Sequence, residues 1–249
     1  MKKDSSWGNV AGWYDKHLDG DNTYHAQVVA PNLERVVGLK SNQSLLELGC
    51  GQGFFLEKFS HVSDKLTGVD LGAPLIEIAK KTIHGAKLVV GNAEDPKLLP
   101  GQKYDVIIIV LAIQNMKNLT AVADNLKRFI KDDGKVVIVL NHPAFRVPQH
   151  SGWGTDSDKK VQYRHVDAYM SEMEIKIDMT PGKTTNKETT LSYHRPLQVY
   201  SKAFSKAGFG IVKIEEWISH RKSVGLHAKM EDNARKEIPL FMCLVLKKV

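Results

Sequence analysis

Between residues 44 and 140 the chain repeats one pattern: a short apolar run rich in β-branched residues, then a stretch with apolar positions at helical spacing. The runs are SLLELG (44–49), KLTGVD (65–70), AKLVVG (86–91), YDVIIIVLA (104–112) and GKVVIVL (134–140). Helical patterns lie near 53–61, 73–82 and 120–131, with a short turn after Glu94. Continuous runs such as VIIIV suit strands buried on both faces. Their alternation with helices predicts a parallel sheet covered on both sides. Pro74 fits a first helical turn, where a missing N–H costs nothing. Thr120 is the expected cap of the helix AVADNLKRFI, and DDG at 132–134 its expected stop.

The rhythm breaks between 141 and 196. Prolines, aromatics and the histidines His142, His150, His165 and His194 gather there. The alternation in EIKIDM, followed by Pro-Gly, predicts a hairpin within 174–194. A helix near 197–207, a strand near 209–218 and a last strand near 239–247 complete the chain. The segment 141–196 is too short for an independent domain and too structured for a connector, so it is expected to act as a lid or substrate wall. The organisation expected is one domain over 1–249, with a helical cap over 1–40 and the insertion 141–196 over the acceptor site.

Composition changes little in this picture. Of 249 residues 42% are hydrophobic and 25% charged, which suits a soluble α/β domain. The net charge of +7 is spread as pairs such as Lys80-Lys81 and Arg221-Lys222. Spread charge predicts a solvated surface before a nucleic-acid face. Two cysteines, Cys50 and Cys243, make no disulfide framework. The first residues lack the apolar stretch of a secretory signal, and no run approaches the ~20 residues of a membrane span. A cytoplasmic protein is expected.

The candidate chemistry begins at LLELGCGQGFF (45–55). Three glycines fall within five positions, at Gly49, Gly51 and Gly53. A dinucleotide turn would read G-x-G-x-x-G, but Phe54 occupies the last position, and no Lys-Ser/Thr ends the turn as in a P-loop. Glu47, two residues before the first glycine, would repel a pyrophosphate and suits a cofactor carrying positive charge. This acid-then-GxGxG pattern resembles motif I of the class I S-adenosylmethionine-dependent methyltransferases. The resemblance covers residues 10–140 by motif, and the final helix and strands by topology. It implies a three-layer Rossmann-like sandwich with a mostly parallel seven-stranded sheet, order 3-2-1-4-5-7-6, its last strand antiparallel, and an insertion between strands 5 and 6.

The resemblance also implies site residues. Glu47, Gly49, Cys50, Gly51 and Gly53 would form the cofactor turn, with Cys50 lending its backbone. Asp70 ends the second strand, 17 residues after Gly53, where the family places an acid on the ribose hydroxyls; Leu71 follows it. Asn92, Ala93 and Glu94 would border the adenine, with Asp95 as a competing acid. Val110, Leu111 and Gln114, at the end of the fourth strand, would meet the methionine moiety. Tyr14, in GWYDKHL, resembles an entry segment that folds over the cofactor. Asp105 is read as structural, and Trp7 and Trp13 as cover for the core.

On the acceptor side, NHPAF (141–145) and SYHRPL (192–197) come to the carboxyl edge of the sheet, where α/β folds bind ligands. His142 and His194 are the candidate general bases, needed only if the acceptor must lose a proton. Asn115, Trp153, Tyr193 and Arg195 are candidate substrate contacts. The insertion histidines, spaced by 8, 15 and 29 residues, match no compact ligand set, so no metal is expected. Gln114-Asn115-Met116-Lys117 stands where nucleic-acid amino-methyltransferases carry an Asn/Asp-Pro-Pro-Tyr motif. The reading is methyl transfer from S-adenosylmethionine, leaving S-adenosylhomocysteine, to an oxygen, nitrogen or carbon of a small molecule. An RNA or protein methyltransferase and a non-catalytic cofactor-binding protein are the alternatives. Neither the acceptor nor the oligomeric state is legible.

Overall fold

The computed structural model describes residue 20, residues 22–178 and residues 189–249. A π-helical turn (His25–Val29) leads into α1 (Ala30–Val37), then β1 (Leu45–Leu48) and the short α2 (Phe54–Glu57). There follow β2 (Leu66–Asp70), α3 (Ala73–Thr82), β3 (Lys87–Val90), β4 (Tyr104–Val110), α4 (Leu119–Phe129) and β5 (Ile130–Asn141). Four short strands come next: β6 (Ser151–Asp156), β7 (Val161–Val166), β8 (Met173–Asp178) and β9 (Thr189–His194). The chain ends with α5 (Leu197–Lys206), β10 (Phe209–Trp217), α6 (Ala228–Glu237) and β11 (Phe241–Lys248).

Seven strands pair in the order β3-β2-β1-β4-β5-β11-β10. β1 to β5 are parallel, and β11 is antiparallel to both β5 and β10. This is the expected 3-2-1-4-5-7-6 sheet. The two-residue period of a strand divides its apolar side chains between two cores. Leu46, Ile107, Ile109 and Ile138 face α4 and α5, packing with Leu126, Phe129, Tyr200 and Phe204. Leu45, Val106, Ile108 and Val137 face the opposite layer, with Leu33, Val37, Phe55 and Ala79. Burial on both sides explains the unbroken apolar runs.

Several local expectations change. Asn118, not Thr120, caps α4, its side chain accepting from the Ala121 N–H. That helix ends at Phe129, and DDG lies within β5. A Cβ on Gly134 would sit 2.8 Å from the Asp105 carbonyl, so this glycine serves close strand packing and not a helix stop. Within the segment 174–194 predicted as a hairpin, β8 and β9 pair antiparallel, and the predicted Pro-Gly turn lies outside the described residues. The β6–β7 hairpin and α6 lie outside the predicted elements. In α6 only Ala234 is buried, so no apolar stripe marks it. Asp105 is structural as expected. It accepts from the Ser44 N–H (2.8 Å) and pairs with Lys131 (2.8 Å), contacts that hold its carboxyl near pKa 2 against burial. Among the described residues no helix is long and apolar enough to cross a membrane.

Candidate active site

All three turn glycines take left-handed backbone, with φ +76° at Gly49, +54° at Gly51 and +87° at Gly53. Their surroundings differ. A Cβ on Gly49 would lie 2.5 Å from the Ala112 Cβ, and one on Gly53 would lie 2.1 Å from the Ile83 Cδ1. A Cβ on Gly51 would meet nothing within 4 Å. Two glycines therefore let the turn pack against the β4 loop and the end of α3, while Gly51 faces open space. Asp70 fixes the turn from the next strand. Its Oδ2 accepts from the Gly51 N–H (2.8 Å) and its Oδ1 from the Gly72 N–H (2.7 Å).

A cavity of about 300 Å³ opens beside this turn. Of the predicted cofactor residues, Gly49, Asp70, Leu71, Asn92, Ala93 and Glu94 line it. A narrow extension of about 70 Å³ adds Gly51, Val110 and Leu111. Five lining residues escaped the sequence reading: Gly91, Ala112, Met116, Lys117 and Leu191. The loop 92–95 is held from behind by Asn125 on α4, which is buried. Its amide donates to the carbonyls of Ala93 (2.7 Å) and Asp95 (3.0 Å). The helical periodicity of α4 hid this residue, because a polar side chain on an apolar face was its only signal. Glu94 closes the opposite rim by accepting from the Lys117 N–H (2.6 Å).

Glu47 lies beneath the turn, 1% exposed, and lines neither space. Burial and then the neighbouring Asp70 push its carboxyl well above the usual range, opposed by a hydrogen bond from the Leu56 backbone. Its Oε2 is a buried acceptor with no hydrogen-bond partner among the described residues. Cys50 is buried as well, which pushes its thiol well up and makes it a poor nucleophile. Gly53 packs against Ile83 and lines neither space. The donor set nevertheless fits an adenosyl cofactor: an open glycine turn, a fixed carboxylate at ribose-binding position and a polar loop for the base.

A second cavity, of about 420 Å³, adjoins the first. Asn115 lines both, and Leu111 lines this one and the narrow extension. Gln114 belongs to this second cavity, where its Nε2 donates to the Leu111 carbonyl (2.8 Å) and its Oε1 is buried without a partner among the described residues. Leu111 has φ +52°, an uncommon conformation for a leucine. That backbone strain sits at the junction of the two cavities. The remaining wall comes from far apart in the chain: Tyr24 and His25, Arg146, Ile177, Ser192 and Arg221. Burial lowers the His25 pKa to about 4, so its ring is neutral at pH 7.

The two candidate bases have other work. His142 is 3% exposed and lines neither cavity. Its Nε2 lies 2.7 Å from the Glu216 Oε1, and its Nδ1 accepts from the Ala144 N–H (3.3 Å). The His142 carbonyl accepts from the Arg146 N–H (2.8 Å), so this histidine builds the turn that presents Arg146. Burial lowers the His142 pKa, with Glu216 opposing. His194 is also buried, and its Nε2 donates to the Tyr169 carbonyl (2.8 Å). Tyr193 lines the first cavity. The Arg195 Nη2 donates to the carbonyls of Met116 (2.9 Å) and Lys117 (2.7 Å), so it ties the insertion to the β4 loop. Trp153 is exposed on β6, under the Arg164 guanidinium, and lines neither cavity. Tyr14, Trp7 and Trp13 lie outside the described residues.

Comparison with known proteins agrees with this arrangement. Residues 46–138 match the model of a family described as "Methyltransferase domain". A malonyl-[acyl-carrier protein] O-methyltransferase of Paenibacillus sp. is 29% identical over 157 residues, 58% of this chain and 56% of the relative. A demethylmenaquinone methyltransferase of Tropheryma whipplei is 22% identical over 113 residues, 44% of this chain and 46% of the relative. The chain thus spans about half the length of the curated relatives it matches. Among solved structures, an S-adenosylmethionine-dependent methyltransferase from Mesorhizobium loti superimposes with TM-score 0.71 at 19% identity, covering 92% of this chain and 99% of that one, a likeness of fold. The motif, the sheet order and the family match agree: residues 46–138 are similar to a methyltransferase domain, set in a sheet with the strand order of the class I S-adenosylmethionine-dependent methyltransferase fold.

Proposed function

We propose that this chain transfers a methyl group from S-adenosylmethionine to a small molecule held in the 420 Å³ cavity. The observation that carries the reading is the meeting of the two cavities at Leu111 and Asn115. In this reading Asp70 holds the ribose hydroxyls, the loop 92–94 borders the adenine, and the Gly49–Gly51 backbone with Val110 and Leu111 borders the methionine part. When bound, the cofactor supplies a methyl group already activated on a sulfonium. The protein's contribution is then in-line placement and exclusion of water. Residues Arg146, Pro148, Ile177 and Ser192 of the insertion wall the cavity beside Gln114, which supports a small acceptor over a macromolecular one. The names of the relatives, which include a malonyl-[acyl-carrier protein] O-methyltransferase and a demethylmenaquinone methyltransferase, also support a small acceptor group.

Neither His142 nor His194 is assigned as a base here, because each ring is committed to a protein partner. Asp70→Asn tests the cofactor role, since the amide keeps one acceptor for the turn and loses the charge. Affinity for S-adenosylmethionine, measured by calorimetry, is expected to fall at least tenfold, about 1.4 kcal/mol or more. Unchanged affinity in a folded variant removes Asp70 from the site.

A further inference from the structure

The two cavities carry opposite charge. The first is lined by Asp70 and Glu94 against one lysine, Lys117. The second has two arginines, Arg146 and Arg221, and no aspartate or glutamate among the described residues lining it. Neither arginine makes an ion pair, or a hydrogen bond from its guanidinium, with another described residue. Arg146 is half-buried, and burial together with the nearby Arg164 lowers its pKa, the sign of a cation that lacks a counter-charge. The Arg221 guanidinium sits over the Tyr24 ring, 4.7 Å from its centre, a cation–π contact that uses none of its N–H groups in an ion pair.

Unpaired cations in a partly dry cavity are costly unless a ligand completes them. The His142 turn, with its Glu216 and Ala144 contacts, holds the Arg146 backbone in place. A rigidly presented arginine is a means of reading a planar or tetrahedral oxyanion. We propose that the methyl acceptor is a small organic anion whose carboxylate or phosphate group is bound by Arg146 and Arg221 in this cavity. The proposal rests on the methyltransferase reading for the word acceptor, but the anion site itself is testable without turnover.

The test is calorimetric titration of the full chain, with and without saturating S-adenosylhomocysteine, using malonate, phenyl phosphate and the neutral malonamide in low-salt buffer. One or both anions are expected to bind at least tenfold tighter than malonamide, and the stronger of the two names the oxyanion class. Arg146→Met is expected to lower anion affinity at least tenfold, and Arg146→Lys to restore part of it. Arg221→Met, at an exposed position that spares the fold, is expected to cost about threefold to tenfold. Affinity for S-adenosylhomocysteine stays within twofold in all three. Equal binding of malonamide and both anions overturns the proposal, as does full anion affinity in Arg221→Met or in a folded Arg146→Met. Displacement of the bound anion by a ten-nucleotide RNA at equal phosphate concentration also overturns it, in favour of a nucleic-acid face. Anion binding without any binding of S-adenosylhomocysteine upholds the anion site and refutes the methyltransferase reading instead.

Discussion

The wall of the first cavity, beside the glycine turn, is largely backbone and neighbouring loop, whereas the wall of the second is side chains brought together across the chain. Around Gly51 the working groups are N–H donors and one carboxylate, all within residues 49–72. Around Arg146 the contacts join residues 74 apart, as in His142–Glu216, or 195 apart, as in Tyr24–Ser219. A site made from local backbone needs particular residues at fixed spacing, because only glycine takes those conformations cheaply. A site made from distant side chains needs only that its elements dock, so its residue types are loosely constrained. The first kind is stiff and shared within a fold, and the second is free to set the acceptor.

The glycine turn itself holds both kinds of constraint, and substitution separates them with the largest effects expected here. Gly53→Ala sets a methyl 2.1 Å from Ile83 Cδ1 in left-handed backbone. A stability loss of about 2–4 kcal/mol follows from strain and overpacking together. Gly51→Ala meets open space and pays only the backbone strain, about 1–2 kcal/mol. Yet the Gly51 methyl enters the cofactor cavity, so its affinity for S-adenosylmethionine is expected to fall at least tenfold. Thermal unfolding beside calorimetry reads the two effects apart. Equal stability losses, with cofactor affinity retained in Gly51→Ala, would erase the distinction between packing glycine and cofactor glycine.

The same contrast explains what was legible beforehand. The alternation of strands and helices and the glycine turn follow from apolar runs and from spacing, while the sheet order and the role given to Asp70 come from the family resemblance. His142 and His194 were drawn to the site by their residue type and by their place at the sheet edge. What the chain order could not convey is that each ring points to a protein acceptor, Glu216 in one case and the Tyr169 carbonyl in the other. Arg221 reads as part of a solvated surface pair and Arg146 carries no signal at all, because the lack of a carboxylate among the described residues lining their cavity is a property of the cavity and not of their neighbours in sequence. α6 escaped for a simpler reason: a helix with one buried residue has no periodic stripe to detect.

Asn125 tests whether the cofactor side depends on anything beyond its own loops. Asn125→Ala leaves the Ala93 and Asp95 carbonyls without their buried donor, and a loss of about 2 kcal/mol is expected. Because the loop 92–95 is freed, cofactor affinity is expected to fall severalfold while anion binding in the second cavity is unchanged. A fall in both affinities would show that the two walls move as one unit, and the contrast between them would lose its force.

The smallest effect belongs to Glu216, which acts on the acceptor side through His142. Glu216→Ala removes an exposed acceptor from a buried ring, and about 1 kcal/mol or less is expected at pH 7. The pH dependence carries more information than that number. The folded-state pKa of His142 is lowered, so the unfolded chain binds the proton more readily. The stability held by the neutral ring is therefore complete above the unfolded pKa of about 6.5 and lost as pH falls toward the folded value. Glu216 opposes that lowering, so its removal depresses the folded pKa further and widens the acid window over which stability is lost. Denaturant unfolding at pH 7 and pH 5 should show a larger difference in the variant than in the parent. Anion affinity in the second cavity should drop with it as the Arg146 turn loosens, while cofactor affinity holds. An identical pH dependence in both proteins would mean that the His142–Glu216 contact does not stabilise this turn, and Arg146 would then owe its position to the insertion alone.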